Sequence, residues 1–167
     1  EPSPRNGRVA EPCGLRLEGP FSAPRESGSQ DAPYRKTPRR EGYEAILDAA
    51  PEIIRWSVAP ELDGALEMGR ELRRRGVLAS VAHTDAVYDE VARAYEAGYT
   101  HMTHLYSALS SVTRRNAHPH AGAAAAASPI HPVTAEIISA GAHPRDALLR
   151  LAPNSQGSPR TPPCPSP

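Results

Sequence analysis

Short apolar runs recur along the middle of the chain, and segments of helical period separate them. Residues 15–17 (LRL) make a brief strand candidate and 53–58 (IIRWSV) a longer one; 77–82 (VLASVA), 100–105 (THMTHL) and 135–139 (AEIIS) are three more. Residues 40–49 and 62–75 carry the spacing of amphipathic helices. In the second, Leu62, Ala65, Leu66, Gly69 and Leu72 fall on one stripe, and Gly76 offers a C-terminal stop. Asp85 is placed to cap a third helix, whose buried face is Val87, Tyr88, Val91 and Tyr95 and which Gly98 ends.

Strand and helix alternating over short links predict an α/β fold with a parallel sheet covered by helices. No glycine-rich phosphate loop follows a strand, so five such strands fit part of a (β/α) TIM-like barrel better than a dinucleotide-binding fold. The expected organisation is an irregular segment over 1–13, a partial barrel over 14–152 lacking the first and last strands, and a Pro/Ser-rich tail over 153–167. That tail contains no large apolar residue, so burial cannot offset the entropy of ordering it, and disorder is expected.

Charge narrows the partners. Nineteen basic residues balance 19 acidic ones, which gives no electrostatic reason to expect nucleic acid or a membrane surface. The small-residue run at 121–127 is too short to span a bilayer. Cys13 and Cys164 lie near opposite ends without CxxC spacing, so free thiols and a cytoplasmic setting are expected.

Three polar residues each close an apolar strand: Glu18 after LRL, His83 after VLASVA, and His104 after THMT. In a parallel barrel the strand ends converge on one rim, where reactive groups collect. One carboxylate with two imidazoles is also a known catalytic zinc set that leaves a coordination position open. Spacing alone leaves ordinary hydrogen-bonded loop roles equally open for all three. His101 precedes His104 by three positions, which directs it to the opposite sheet face and favours a structural role.

The surrounding words carry more information. Leu17-Glu18-Gly19-Pro20-Phe21, Gly28-Ser29-Gln30-Asp31, Ala59-Pro60-Glu61, Val81-Ala82-His83-Thr84-Asp85-Ala86 and Thr103-His104-Leu105-Tyr106-Ser107-Ala108-Leu109 occur in that order, followed by Val112-Thr113-Arg114-Arg115-Asn116-Ala117 and by Glu136-Ile137-Ile138 with His143. Over roughly residues 14–152 this succession resembles the signature segments of N-acetylglucosamine-6-phosphate deacetylases, metal-dependent members of the amidohydrolase superfamily. The resemblance implies a deformed (β/α) barrel and hydrolysis of the acetamide of N-acetylglucosamine 6-phosphate to glucosamine 6-phosphate and acetate. It implies Glu18, His83 and His104 as ligands of a divalent metal ion, most often zinc. Ser29 and Gln30 would lie near the acetamide, Ser107 and Ala108 near the phosphorylated sugar, and His143 against the substrate. Arg115 matches a phosphate-binding arginine that reaches a neighbouring subunit in homodimeric relatives, a task suited to its planar fork. His118-Pro119-His120 has the look of a ligand pair, yet falls where the family binds no metal and reads as loop.

Two departures bear on activity. Ala140 stands where the family usually has an acidic residue, in the run Ser139-Ala140-Gly141-Ala142-His143. The family's catalytic aspartate, expected on a later strand, has no counterpart; Thr84-Asp85-Ala86 has the right letters but belongs to the His83 segment. The resemblance therefore leaves an alternative: an inactive, truncated remnant that at most binds metal or sugar phosphate.

Overall fold

The computed structural model describes residues 13–127 and 133–138. In chain order the elements are β1 (Leu15–Glu18), a single 3-10 turn at Ala32–Tyr34, α1 (Arg40–Ala49), β2 (Ile53–Val58), α2 (Ala65–Arg74), β3 (Leu78–Val81), α3 (Tyr88–Glu96), β4 (Tyr99–Met102), β5 (Thr113–Arg115), β6 (His118–His120), α4 (Ala123–Ala126) and β7 (Thr134–Ala135). Five of these strands form a parallel sheet in the order β1-β2-β3-β4-β7. Spatial order follows chain order without reversal, as the alternating pattern predicts and as a doubly wound nucleotide-binding sheet would not.

Register fixes where the strands end. Glu18 pairs with Ser57, Val58 with Val81, and Val81 with Met102. The residues just past these positions, His83 and His104 among them, are thereby lined up with Glu18 along one rim.

The two faces of the sheet differ. Trp56 pairs with Ala79 and Ala79 with Tyr99, while Val58, Val81 and Met102 form the next row. All six are buried in one core with Tyr43, Leu47, Ala65, Met68, Leu72, Val91 and Ala94 from the helices. Tyr99 fixes α2 against β4: its hydroxyl donates to the Ala65 carbonyl at 2.8 Å, and a Cβ on Gly69 would come within 2.3 Å of its ring. Only glycine lets the helix approach that closely.

The opposite row is polar. Ser57 Oγ and Ser80 Oγ lie 2.8 and 2.7 Å from Thr103 Oγ1, all three buried. Beside them Arg55 contacts His101 Nε2 at 3.3 Å and pairs with Glu136 at 2.8 Å.

Several expectations are corrected. The fifth strand occupies Thr134–Ala135 rather than 135–139, of which Ser139 lies outside the described residues; it pairs with His101 and Met102, and Glu136 just beyond it still exchanges backbone hydrogen bonds with Met102 and Leu105. The third helix is capped by Val87, whose backbone N–H donates to the Glu90 carboxylate at 2.8 Å; the Asp85 backbone N–H is instead engaged by Glu61. His118-Pro119-His120, read as loop, is strand β6 of a hairpin turned by Asn116 and Ala117, both at positive φ. The usual hairpin turn marker has glycine after asparagine; alanine in that place hides the turn. Cys13, read as a free thiol, is disulfide-bonded, a pairing that no local spacing announces.

The tail over 153–167, Ala140, His143 and all but Cys13 of the segment 1–13 lie outside the described residues. Among the described residues no helix is long and apolar enough to cross a membrane.

Candidate metal centre

Each of the three rim residues arrives by its own route. Glu18 is the last residue of β1, with 44% of its side chain exposed. His83 and His104 follow β3 and β4 and are buried, with φ of +49° and +39°. A non-glycine residue in the left-handed region costs on the order of 1–3 kcal/mol and persists where surrounding contacts enforce it. Here those turns stop the strands and bring the two rings edge to face, with centroids 4.8 Å apart.

Backbone carbonyls set the chemistry of the rings. His83 Nδ1 lies 2.8 Å from the Glu26 carbonyl oxygen, and His104 Nδ1 lies 2.9 Å from that of Ser107. A carbonyl only accepts, so each Nδ1 carries a hydrogen, and in a neutral imidazole the lone pair then sits on Nε2. His83 Nε2 is 2.7 Å and His104 Nε2 3.1 Å from Glu18 Oε1, with the two Nε2 atoms 3.2 Å apart. Three acceptors thus face one another with all ligand atoms within 4.8 Å. Such a cluster needs a positive charge at its centre, either a proton or a cation. The residues fit a divalent ion: the donor set is one that zinc accepts, and each ring is oriented from behind by a carbonyl, as metal-bound histidines generally are. Burial alone would raise the Glu18 carboxyl, but His83 and His104, which favour its charged form whenever a proton or cation sits between them, outweigh burial and hold it below the ordinary range.

The loop spanning residues 26–30 closes over this rim. A Cβ on Gly28 would lie 3.4 Å from the His83 ring, and one on Gly19 would lie 2.6 Å from Gln30 Oε1. Gln30 is therefore packed beside the residue that follows Glu18, with Ser29 exposed next to it. Ser107 holds His104 through its carbonyl, and Ala108, at φ +46°, accepts the Thr84 N–H at 3.2 Å. Arg115 stands apart on β5, its guanidinium 3.3 Å from Glu90 Oε2 and 3.2 Å from the Asp85 carbonyl oxygen.

His101 takes the structural part. It is buried between Arg55 and Thr134, its Nδ1 2.8 Å from the threonine hydroxyl. Burial and the adjacent Arg55 charge, partly opposed by Glu136, lower its pKa to about 4. Unfolded, the ring titrates near 6.5, so between pH 6.5 and 4 the unfolded chain binds a proton that the folded one refuses. The His101 contribution is complete above about pH 6.5 and is lost as pH falls toward 4, by about 3 kcal/mol in all. Denaturation at pH 7 and pH 4 should show this loss in the wild type and a smaller one in His101→Gln; equal losses would contradict it.

With the geometry in view, comparison with known proteins decides the kinship. No family model matches the chain. Over 150 residues it is 33% identical to the N-acetylglucosamine-6-phosphate deacetylase of Bacillus subtilis, covering 89% of this chain and 37% of that protein. A solved structure of a mutant N-acetyl-D-glucosamine-6-phosphate deacetylase from Mycobacterium smegmatis, in complex with N-acetyl-D-glucosamine-6-phosphate, superposes with a TM-score of 0.80 at 34% identity, covering 86% of this chain and 37% of that one. The chain is a relative of the N-acetylglucosamine-6-phosphate deacetylases. It spans a little over a third of the length of the curated relatives it matches. An N-acetylgalactosamine-6-phosphate deacetylase of Escherichia coli O157:H7 is also similar, 25% identical over 112 residues that make up 66% of this chain and 30% of that protein.

Sequence reasoning missed what supports the deacetylase-like rim from behind. The Glu26 carbonyl has no side-chain signature. Glu61 had one: it follows β2 after Ala59 and Pro60 much as His83 follows β3, at the same end of the sheet.

Proposed function

We propose that this chain carries the metal-binding part of a deacetylase acting on N-acetylglucosamine 6-phosphate, and that its sheet is a section of a (β/α) barrel. One observation carries the reading: two imidazoles locked with their Nε2 lone pairs facing one carboxylate oxygen, at the strand ends of a chain related to such enzymes. Glu18, His83 and His104 would hold the ion, with zinc the best match to two nitrogens and one carboxylate. When bound there, such an ion polarises a carbonyl oxygen and acidifies water.

The chain's own residues supply position. Gln30 can offer its amide to the acetamide from beside Glu18, and Ser107 and Ala108 border the same rim. Arg115 and His143 complete the proposed substrate set. Arg115 would give up its contacts with Glu90 to meet a phosphate, and a neighbouring subunit of a homodimer is where the reading places that phosphate. The cytoplasmic setting belongs to the same proposal.

Among the described residues the group consists of Glu18, His83 and His104, which supplies ligands for an ion but no separate base for proton transfer. That keeps the non-catalytic alternative alive. Purified chain with zinc and N-acetylglucosamine 6-phosphate separates the two readings. Zinc-dependent acetate release establishes the deacetylase; zinc and sugar-phosphate binding without acetate identifies the remnant.

A further inference from the structure

Glu61 does not touch the three rim residues, yet the chain around both histidines is tied to it. It follows β2 and is half-buried among Pro60, Leu62 and Glu90 at the edge of a cavity of about 370 Å³. One carboxylate oxygen accepts the Thr84 hydroxyl at 2.5 Å, and the other accepts the Asp85 backbone N–H at 2.7 Å. Both donors come directly after His83, where the backbone is held at φ +49°.

Thr84 passes this anchoring on. Its hydroxyl also accepts the Ala86 N–H at 2.9 Å, its backbone N–H donates to the Ala108 carbonyl at 3.2 Å, and its carbonyl accepts the Ser110 N–H at 3.0 Å. The loop thus clamped runs from His104 to Ser110 and includes the Ser107 carbonyl that orients the His104 ring. A fully buried threonine so joins the turns that follow both histidines, and its hydroxyl is in turn fixed by Glu61.

We propose that Glu61 is a positioning residue for both imidazoles, holding the turns after His83 and His104 so that their Nε2 atoms converge on Glu18. The inference rests on the reading of that triad as a metal centre. The carboxylate is needed as such, because two oxygens each accept one hydrogen bond; glutamine keeps the shape but presents an N–H to one of the two donors.

Cobalt(II) tests this on the full chain, because its visible absorption reports ligand geometry independently of turnover. Glu61→Gln should bind cobalt about 10- to 100-fold more weakly, the range found when groups that orient metal ligands are replaced, with an altered d–d spectrum and an unchanged far-ultraviolet circular dichroism spectrum. Thr84→Val should behave likewise, and Thr84→Ser, which keeps the hydroxyl, should restore both affinity and spectrum. A folded Glu61→Gln with wild-type affinity and spectrum overturns the proposal. If Glu61→Gln fails to fold, the threonine pair decides: equal cobalt binding by Thr84→Val and Thr84→Ser overturns it, and recovery only with serine upholds it. A wild-type chain that binds no cobalt overturns the triad reading and this inference together.

Discussion

Replacing His83 or His104 by alanine should abolish binding of a divalent ion. The magnitude follows from how few donors there are. Zinc in four-ligand structural sites is held by roughly 10–16 kcal/mol, about 3 kcal/mol per ligand, and 1.4 kcal/mol is a factor of ten. With three protein donors, removing one lowers affinity by at least about a hundredfold. Glu18→Ala should have the same effect, since Glu18 Oε1 is the atom both rings face. Zinc titration against a chromogenic chelator measures all three. His101→Ala is the matched control: it removes a buried imidazole three residues from His104, yet one committed to Arg55 and Thr134. Loss of zinc in the control, or its retention in all three rim variants, would refute the assignment.

Much of this site is visible in the amino-acid order because a parallel sheet does the assembling. Apolar runs define the strands, helices between them force a common direction, and whatever follows each run is delivered to the same rim. Glu18, His83 and His104 lie up to 86 positions apart; their places at strand ends singled them out, and only the ordered succession of family-like segments favoured a metal. The backbone's share was hidden. Nothing in the letters of Glu26 or Ser107 says that their carbonyls orient imidazoles, because every residue has a carbonyl. Positive φ at His83, His104 and Ala108 is equally silent, since glycine or asparagine would have signalled it and none stands there. The hairpin at residues 113–120 escaped for the same reason: its turn uses alanine where glycine is the recognisable choice. Arg115 shows the converse limit. The resemblance gives it a phosphate, whereas the structure holds it against Glu90, and the two agree only if a ligand displaces that contact.

Trp56→Ala should be the most damaging core substitution, and its effect should reach the rim. The indole is fully buried in β2, stacked at 5.5 Å and a 31° tilt on Phe21. Removing so large a side chain leaves a cavity and costs about 3–5 kcal/mol. Trp56→Phe isolates a second role. Phenylalanine keeps most of the volume but cannot donate, and the indole N–H bonds the Gly19 carbonyl at 2.9 Å, immediately after Glu18. An orphaned carbonyl there costs on the order of 1–3 kcal/mol. Gly19 is held at φ +88°, a turn that releasing its carbonyl would loosen, and Glu18 is the ligand least restrained by burial. Because an ion that binds only the folded chain stabilises it in proportion to the logarithm of its affinity, Trp56→Phe should also shrink the gain in stability that zinc confers. Urea denaturation with and without zinc measures both effects. If wild type and Trp56→Phe gain equally from zinc, the indole supports the core alone, and the path from Trp56 through Gly19 to Glu18 is wrong.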